Sequence, residues 1–269
     1  MIIDFHTHYF PDKIAHDAVK SLEQRESIKA FTEGTRASLE KSMLSAGIGL
    51  SINLPVATSP EQVAGINTWA EKNSRLPVIS LGAIHPFSEN PAALISDIRK
   101  RGLPGIKMHP EYQNFVPDDT ELEPIWKACI RHSIFVIFHA GADMAFDAPY
   151  RSNPAKFAKL HRRFPELKMV LAHFGSWMQW DEVEREIIGL DIFLETSCTA
   201  GFLGNAEFAS LIRRHGADKV LFGTDSPWCD QKKEVEAIKA LPLTDGEKEL
   251  IFHKNAEQLL KKPGLPLLS

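Results

Sequence analysis

Short β-branched runs alternate with stretches of helical period along this 269-residue chain. Eight runs read as strands: Met1–His6, Gly49–Leu54, Pro77–Ile84, Gly105–His109, Ile134–His139, Lys168–His173, Asp191–Thr196 and Lys219–Thr224. Most are almost continuously apolar, the pattern of parallel strands covered on both faces. Between them, Arg36–Ala46, Pro60–Ser74, Pro91–Arg101, Glu121–His132, Pro154–Arg163 and Glu207–His215 mix polar and apolar residues at helical period. Several open with proline near the first turn and one ends at Gly102, the usual asymmetry of helix punctuation.

Strands alternating with helices of this length imply right-handed crossovers and a parallel sheet, and eight such units close into a barrel. The expectation is therefore an α/β fold, a (β/α)8 TIM barrel, with residues 1–269 forming a single domain. A doubly wound open sheet is the alternative, but no GxGxxG follows an early strand to support its dinucleotide-binding form. Segment Tyr9–Gly34 is too long for a bare loop, carries helical spacing and is expected to cover the barrel mouth. Thr244–Leu260 reads as a C-terminal helix, with Thr244 as N-cap and Glu247 completing a capping box. The tail KKPGLPLLS is expected to pack or fray.

Composition narrows the function classes. With 43% apolar and 25% charged residues the chain reads as a globular protein, and no apolar run approaches the roughly 18 residues of a membrane span. The start MIIDFHTH lacks the features of a secretory signal, so a cytoplasmic location is expected. Cys129, Cys198 and Cys229 are odd in number and far apart, which argues against a disulfide framework and a zinc ribbon. Any metal must then use histidine and carboxylate. A net charge of −4 with the signs interspersed offers no basic stripe for nucleic acid. The expected partner is a small-molecule substrate, with no membrane and no nucleic acid, and a homo-oligomer is left open.

In a barrel the chemistry sits at the carboxyl ends of the strands. His6 and His8 end the first strand and, two apart in extended chain, project to the same side. Lys107 and His109 end the fourth strand, His139 the fifth, His173 the sixth, Glu195 the seventh and Asp225 the eighth. One histidine after an apolar strand is commonly a hydrogen-bonded core residue. So many ionisable groups at matching strand ends are harder to explain that way, because burying them together costs several kcal/mol unless they pair or bind a metal.

The ordered set DFHTH, His139, AHFG and GTDSPW resembles the amidohydrolase superfamily of metal-dependent barrel enzymes. It is most similar to the amidohydrolase-2 branch, which includes the aminocarboxymuconate semialdehyde decarboxylase-like enzymes. The match runs from Ile2 to NAEQLL at Asn255–Leu260. The resemblance implies that His6, His8 and His139 bind one divalent metal, zinc, with Asp225 completing the site and His173 acting as the acid/base histidine. Asp225 would also take a proton from the metal's water. In two-metal relatives a fourth-strand lysine is carboxylated and bridges the ions, but here one ion is expected.

Lys107 then either binds a substrate carboxylate or pairs with an acid such as Glu195. His109 lines the pocket or caps the strand before Pro110. Trp228, Glu111, Tyr112 and Asp143 shape specificity or simply pack. His16, His132, His161, His215 and His253 read as surface or packing residues, and His85 stays undecided. The expected function is a metal-dependent hydrolase that uses an activated water on an amide, ester or lactone bond. The alternative is a non-oxidative decarboxylase using the same ligands.

Overall fold

The computed structural model describes residues 1–260. Three parallel strands, β1 (Ile3–Thr7), β2 (Leu50–Asn53) and β3 (Val78–Ser80), form one sheet. Six more, β4 (Gly82–Ala83), β5 (Gly105–Met108), β6 (Phe135–Phe138), β7 (Met169–Leu171), β8 (Phe193–Glu195) and β9 (Val220–Leu221), run parallel in a second, each beside the next in sequence. Backbone bonds join the first strand to the last: Phe5 N–H donates to Phe222 O at 2.8 Å, and Asp225 N–H to His6 O at 2.7 Å. The two sheets are thus halves of the expected TIM barrel.

The expected third strand, Pro77–Ile84, is two. β3 pairs with β2 and β4 with β5, so the run passes from one neighbour to the other at Leu81. Gly82 lies at this step, and a Cβ there would meet the Ile98 side chain at 2.8 Å, so glycine lets the following helix close onto the barrel.

β6 shows why the strands are apolar throughout. Phe135 and Ile137 join Ile3, Phe5, Ile52, Ile79 and Leu221 inside the barrel, while Val136 and Phe138 join the larger cluster under the helices. Helix ends follow local chemistry. Helix α1 (Asp12–Glu26) lies in the segment expected at the mouth, and α2 (Arg36–Ala46) opens on a Thr35–Ser38 capping box. Helix α3 (Gln62–Asn73) is a turn shorter than expected, whereas α4 (Pro91–Lys100), α5 (Glu123–His132) and α6 (Pro154–Arg163) each begin with proline in the first turn. Then come α7 (Trp180–Glu186), α8 (Asn205–His215) and α9 (Gln231–Ala240).

The expected helix Thr244–Leu260 keeps its capping box but is interrupted. α10 (Asp245–Glu249) and α11 (Asn255–Leu260) flank a π turn over Leu250–Lys254. There the Ile251 carbonyl accepts the Phe222 N–H at 2.9 Å, a partner from the barrel. KKPGLPLLS lies outside the described residues. Among those described, no helix is long and apolar enough to cross a membrane.

Candidate metal centre

The ends of β1 and β9 are fixed to each other by a buried acid. Asp4 accepts hydrogen bonds from the backbone N–H of His6 (3.1 Å) and Thr224 (3.0 Å), the Thr224 hydroxyl (2.6 Å) and Gln231 Nε2 (2.7 Å). Burial pushes its carboxyl up to about 7. The tie brings Asp225 to His6 and His8. His6 Nε2 and His8 Nε2 stand 3.1 Å apart, and Asp225 Oδ1 is 3.2 Å from each. Asp225 holds a left-handed backbone (φ 62°), as do His173 (57°) and Cys198 (51°), and such strain in non-glycine residues gathers at functional sites.

Glu195 sets the orientation of His6. Its Oε1 is 2.9 Å from His6 Nδ1, and a carboxylate only accepts, so Nδ1 carries the proton and the Nε2 lone pair faces His8 and Asp225. Burial, and then the Lys107 ammonium, hold the His6 imidazole neutral. Glu195 also accepts from His173 N–H (2.9 Å), Ser197 N–H (2.8 Å) and the Ser197 hydroxyl (2.7 Å). A Cβ at Gly223 would lie 2.0 Å from Glu195 Oε2 and 3.0 Å from His6 Cβ, so only glycine allows this approach.

His173 presents Nδ1 to the Ser197 hydroxyl at 2.9 Å and Nε2 to His139 Nδ1 at 3.2 Å. His139 in turn stacks on His109, with ring centroids 4.1 Å apart, and His109 Nε2 is 3.3 Å from Asp143 Oδ2. The expected residues therefore fall into two linked groups. His6, His8 and Asp225 bring their donor atoms within 4.8 Å of one another, and His109, His139 and Asp143 do likewise. His173 joins them, and it shares further donor groups with His6 and Glu195 and with Cys198 and Asp225.

Lys107 is buried, with Nζ 3.3 Å from His6 Nε2, and desolvation lowers its ammonium to about 8 against the pull of Asp225 and Glu195. The carboxylate that might have paired with it, Glu195, has its oxygens engaged by His6, His173 and Ser197. Trp228 lines the cavity with Tyr112 and Asp143. Glu111 instead accepts from Arg151 and Ser152. His215 is buried packing: its Nε2–H donates to Ile192 O at 2.8 Å and Nδ1 accepts from Gly189 N–H at 3.3 Å.

Sequence reasoning noted Glu195 as a strand-end acid and a candidate partner of Lys107, not as the acceptor that orients His6, and did not single out Asp4, Ser197 or Gly223. Asp4 did carry a signal, an acid between Ile3 and Phe5 in an apolar run. The cavity above these groups holds about 700 Å³, with His6, His8, Lys107, His139, His173 and Asp225 among its lining.

The amidohydrolase family model matches residues 3–262. No curated protein matches the sequence. An uncharacterized TIM-barrel protein from Bordetella bronchiseptica superposes with a TM-score of 0.74 at 21% identity, over 96% of this chain and 98% of that one. A 2,6-dihydroxybenzoate decarboxylase from Rhizobium superposes with a TM-score of 0.71 at 16% identity, over 97% and 98%. A 5-carboxyvanillate decarboxylase from Novosphingobium aromaticivorans, complexed with manganese and 4-hydroxy-3-methoxy-5-nitrobenzoic acid, gives 0.71 at 14% identity, over 97% and 96%. At these identities the superpositions speak for the barrel, and the family match speaks for the lineage. With the family model spanning nearly the whole chain, the protein belongs to the amidohydrolase family.

Proposed function

We propose that this enzyme is a metal-dependent hydrolase that activates water against an amide, ester or lactone bond of a small-molecule substrate. The observation that carries the reading is Asp225 Oδ1 at 3.2 Å from both His6 and His8 Nε2, with His6 turned toward them by Glu195. Neutral imidazole lone pairs converging with one carboxylate are the donors that zinc prefers. His6, His8 and Asp225 would hold a single divalent ion, with His139 as the fourth donor of the set. Once bound, the ion supplies a Lewis acid that lowers the pKa of its water to about 7.

The chain's own residues then handle the protons. Asp225 Oδ2, which faces the Cys198 thiol at 3.8 Å, keeps a lone pair to accept the proton of the attacking water. His173, whose Nδ1–H donates to the Ser197 oxygen, takes up a proton at Nε2 and passes it to the leaving group. Lys107 receives the substrate's anionic or carbonyl oxygen, while His109 and Trp228 line the space beside it.

Decarboxylation is the second reading. Two solved barrels of the same fold are named decarboxylases, and a buried ammonium at the cavity floor suits a carboxylate. Product analysis on a panel of amides, esters, lactones and aromatic acids separates the two. Hydrolysis yields one new acid with its amine or alcohol and no carbon dioxide, whereas carbon dioxide released without a new acid replaces the first reading by the second.

A further inference from the structure

Beyond its polar floor the cavity is walled by apolar side chains that the chemistry of the floor does not use. Helix α1 carries two apolar stripes. Ala15 and Val19 are buried against the body of the protein, while Ile14, Ala18 and Leu22, each four residues from the next, face the cavity. Across from them α3 contributes Gly65, Ile66 and Trp69. Gly65 leaves room: a Cβ built there meets nothing within 4 Å. A helix that needed only to cover the barrel would have no use for the second stripe, and Ile14 remains 52% exposed on it.

Charge is distributed in the same sense. Among the described residues that line the cavity, Lys107 is the one lysine or arginine, and it sits at the floor beside His6. The wall's acid, Glu26, accepts a hydrogen bond from the Tyr112 hydroxyl at 2.6 Å and offers nothing to an anion. Among the described lining residues a second anionic group on a substrate would therefore meet no cation away from the floor, and the Arg25 guanidinium beside the wall lies over the Tyr112 ring, 4.7 Å from its centroid. At about 700 Å³ the space matches the 300–1,000 Å³ of sites that enclose drug-sized ligands, and a single-ring acid would leave most of it to water.

We infer that the substrate is amphipathic: its reacting polar group lies at the floor, and an uncharged, extended apolar body lies between α1 and α3. This inference rests on the reading of the floor as a divalent-metal centre, and its test separates the two.

The test measures Kd for a series of hydroxamates, which chelate zinc, on the zinc-loaded protein by calorimetry. Each buried methylene is worth about fourfold in affinity. Octanohydroxamate, with six more methylenes than acetohydroxamate, is expected to bind at least 100-fold tighter even with part of its chain exposed. Suberic monohydroxamate, which ends the same chain in a carboxylate, loses at least tenfold of that gain. Gly65→Phe and Ala18→Phe fill the gap from opposite walls, and each is expected to reduce the octano/aceto ratio below tenfold, with folding checked by circular dichroism. Equal affinity across chain lengths, or a ratio unchanged in both variants, overturns the inference. If no hydroxamate binds, the metal reading fails by itself. The wall is then tested with N-phenyl-1-naphthylamine, an uncharged dye: fluorescence enhancement that is lost in Ala18→Phe supports the inference, and no enhancement overturns it.

Discussion

Replacing Glu195 by Gln changes one atom, yet it removes the acceptor on which the candidate site is hung. Glu195 is fully buried and takes four donors, from His6 Nδ1, His173 N, Ser197 N and Ser197 Oγ, at 2.7–2.9 Å. If Gln keeps its oxygen toward His6, its NH2 takes the place of Oε2 and confronts the Ser197 N–H. A buried donor left without a partner costs about 1–3 kcal/mol. The bond to His6 also loses its charge assistance, worth roughly another 1 kcal/mol. We therefore expect Glu195→Gln to lower unfolding stability by about 2–4 kcal/mol in urea titrations.

The same change frees the His6 ring to turn, and partners of this kind govern metal affinity by about 10–100-fold. Zinc titration of apo-protein against a competing chelator should show that loss in Glu195→Gln. A zinc Kd within twofold of wild type would refute the claim that Glu195 orients His6 for a metal.

His139→Ala should lower bound metal below half of the wild-type content, whereas His173→Ala should keep the metal and lose turnover; equal metal loss in both would make His173 a ligand. Asp225→Asn, assayed with excess zinc and verified occupancy, should lower kcat at least about 100-fold, because an amide cannot take the water's proton; near-normal turnover would leave His173 as the sole base. His215 supplies a pH test of the fold. Its imidazole is depressed from 6.5 to about 4 by burial, so the unfolded chain binds the proton first and stability falls as pH drops from 6.5 toward 4. Urea titrations should show about 2 kcal/mol of the loss between pH 7.5 and pH 5 to be missing in His215→Gln, and an unchanged slope would contradict the assignment.

Features written into neighbouring residues were legible in the sequence. Arg36–Ala46 and Pro154–Arg163 begin and end where their capping residues and prolines indicate, because a cap is a contact within four residues. The mouth-covering segment was legible for a similar reason, through its helical spacing. The division of Pro77–Ile84 into β3 and β4 was not, since it depends on which strand lies on each side.

The candidate site divides in the same way. His6 and His8 share a strand side by virtue of period two, so their meeting could be read directly. Glu195 reaches His6 across 189 positions of sequence, and Asp4 reaches Gln231 across 227. No local pattern encodes either contact. The stacking of His139 on His109 depends likewise on two strands lying side by side, β5 and β6.

The central claim is that the barrel mouth holds one divalent ion. Elemental analysis of the protein purified without chelator, alongside His8→Ala, tests it most directly. The account predicts about one zinc per chain in wild type and a large loss in His8→Ala. Absence of any divalent metal from protein that is active in its assay would contradict it, and so would two ions per chain bridged through a carboxylated Lys107.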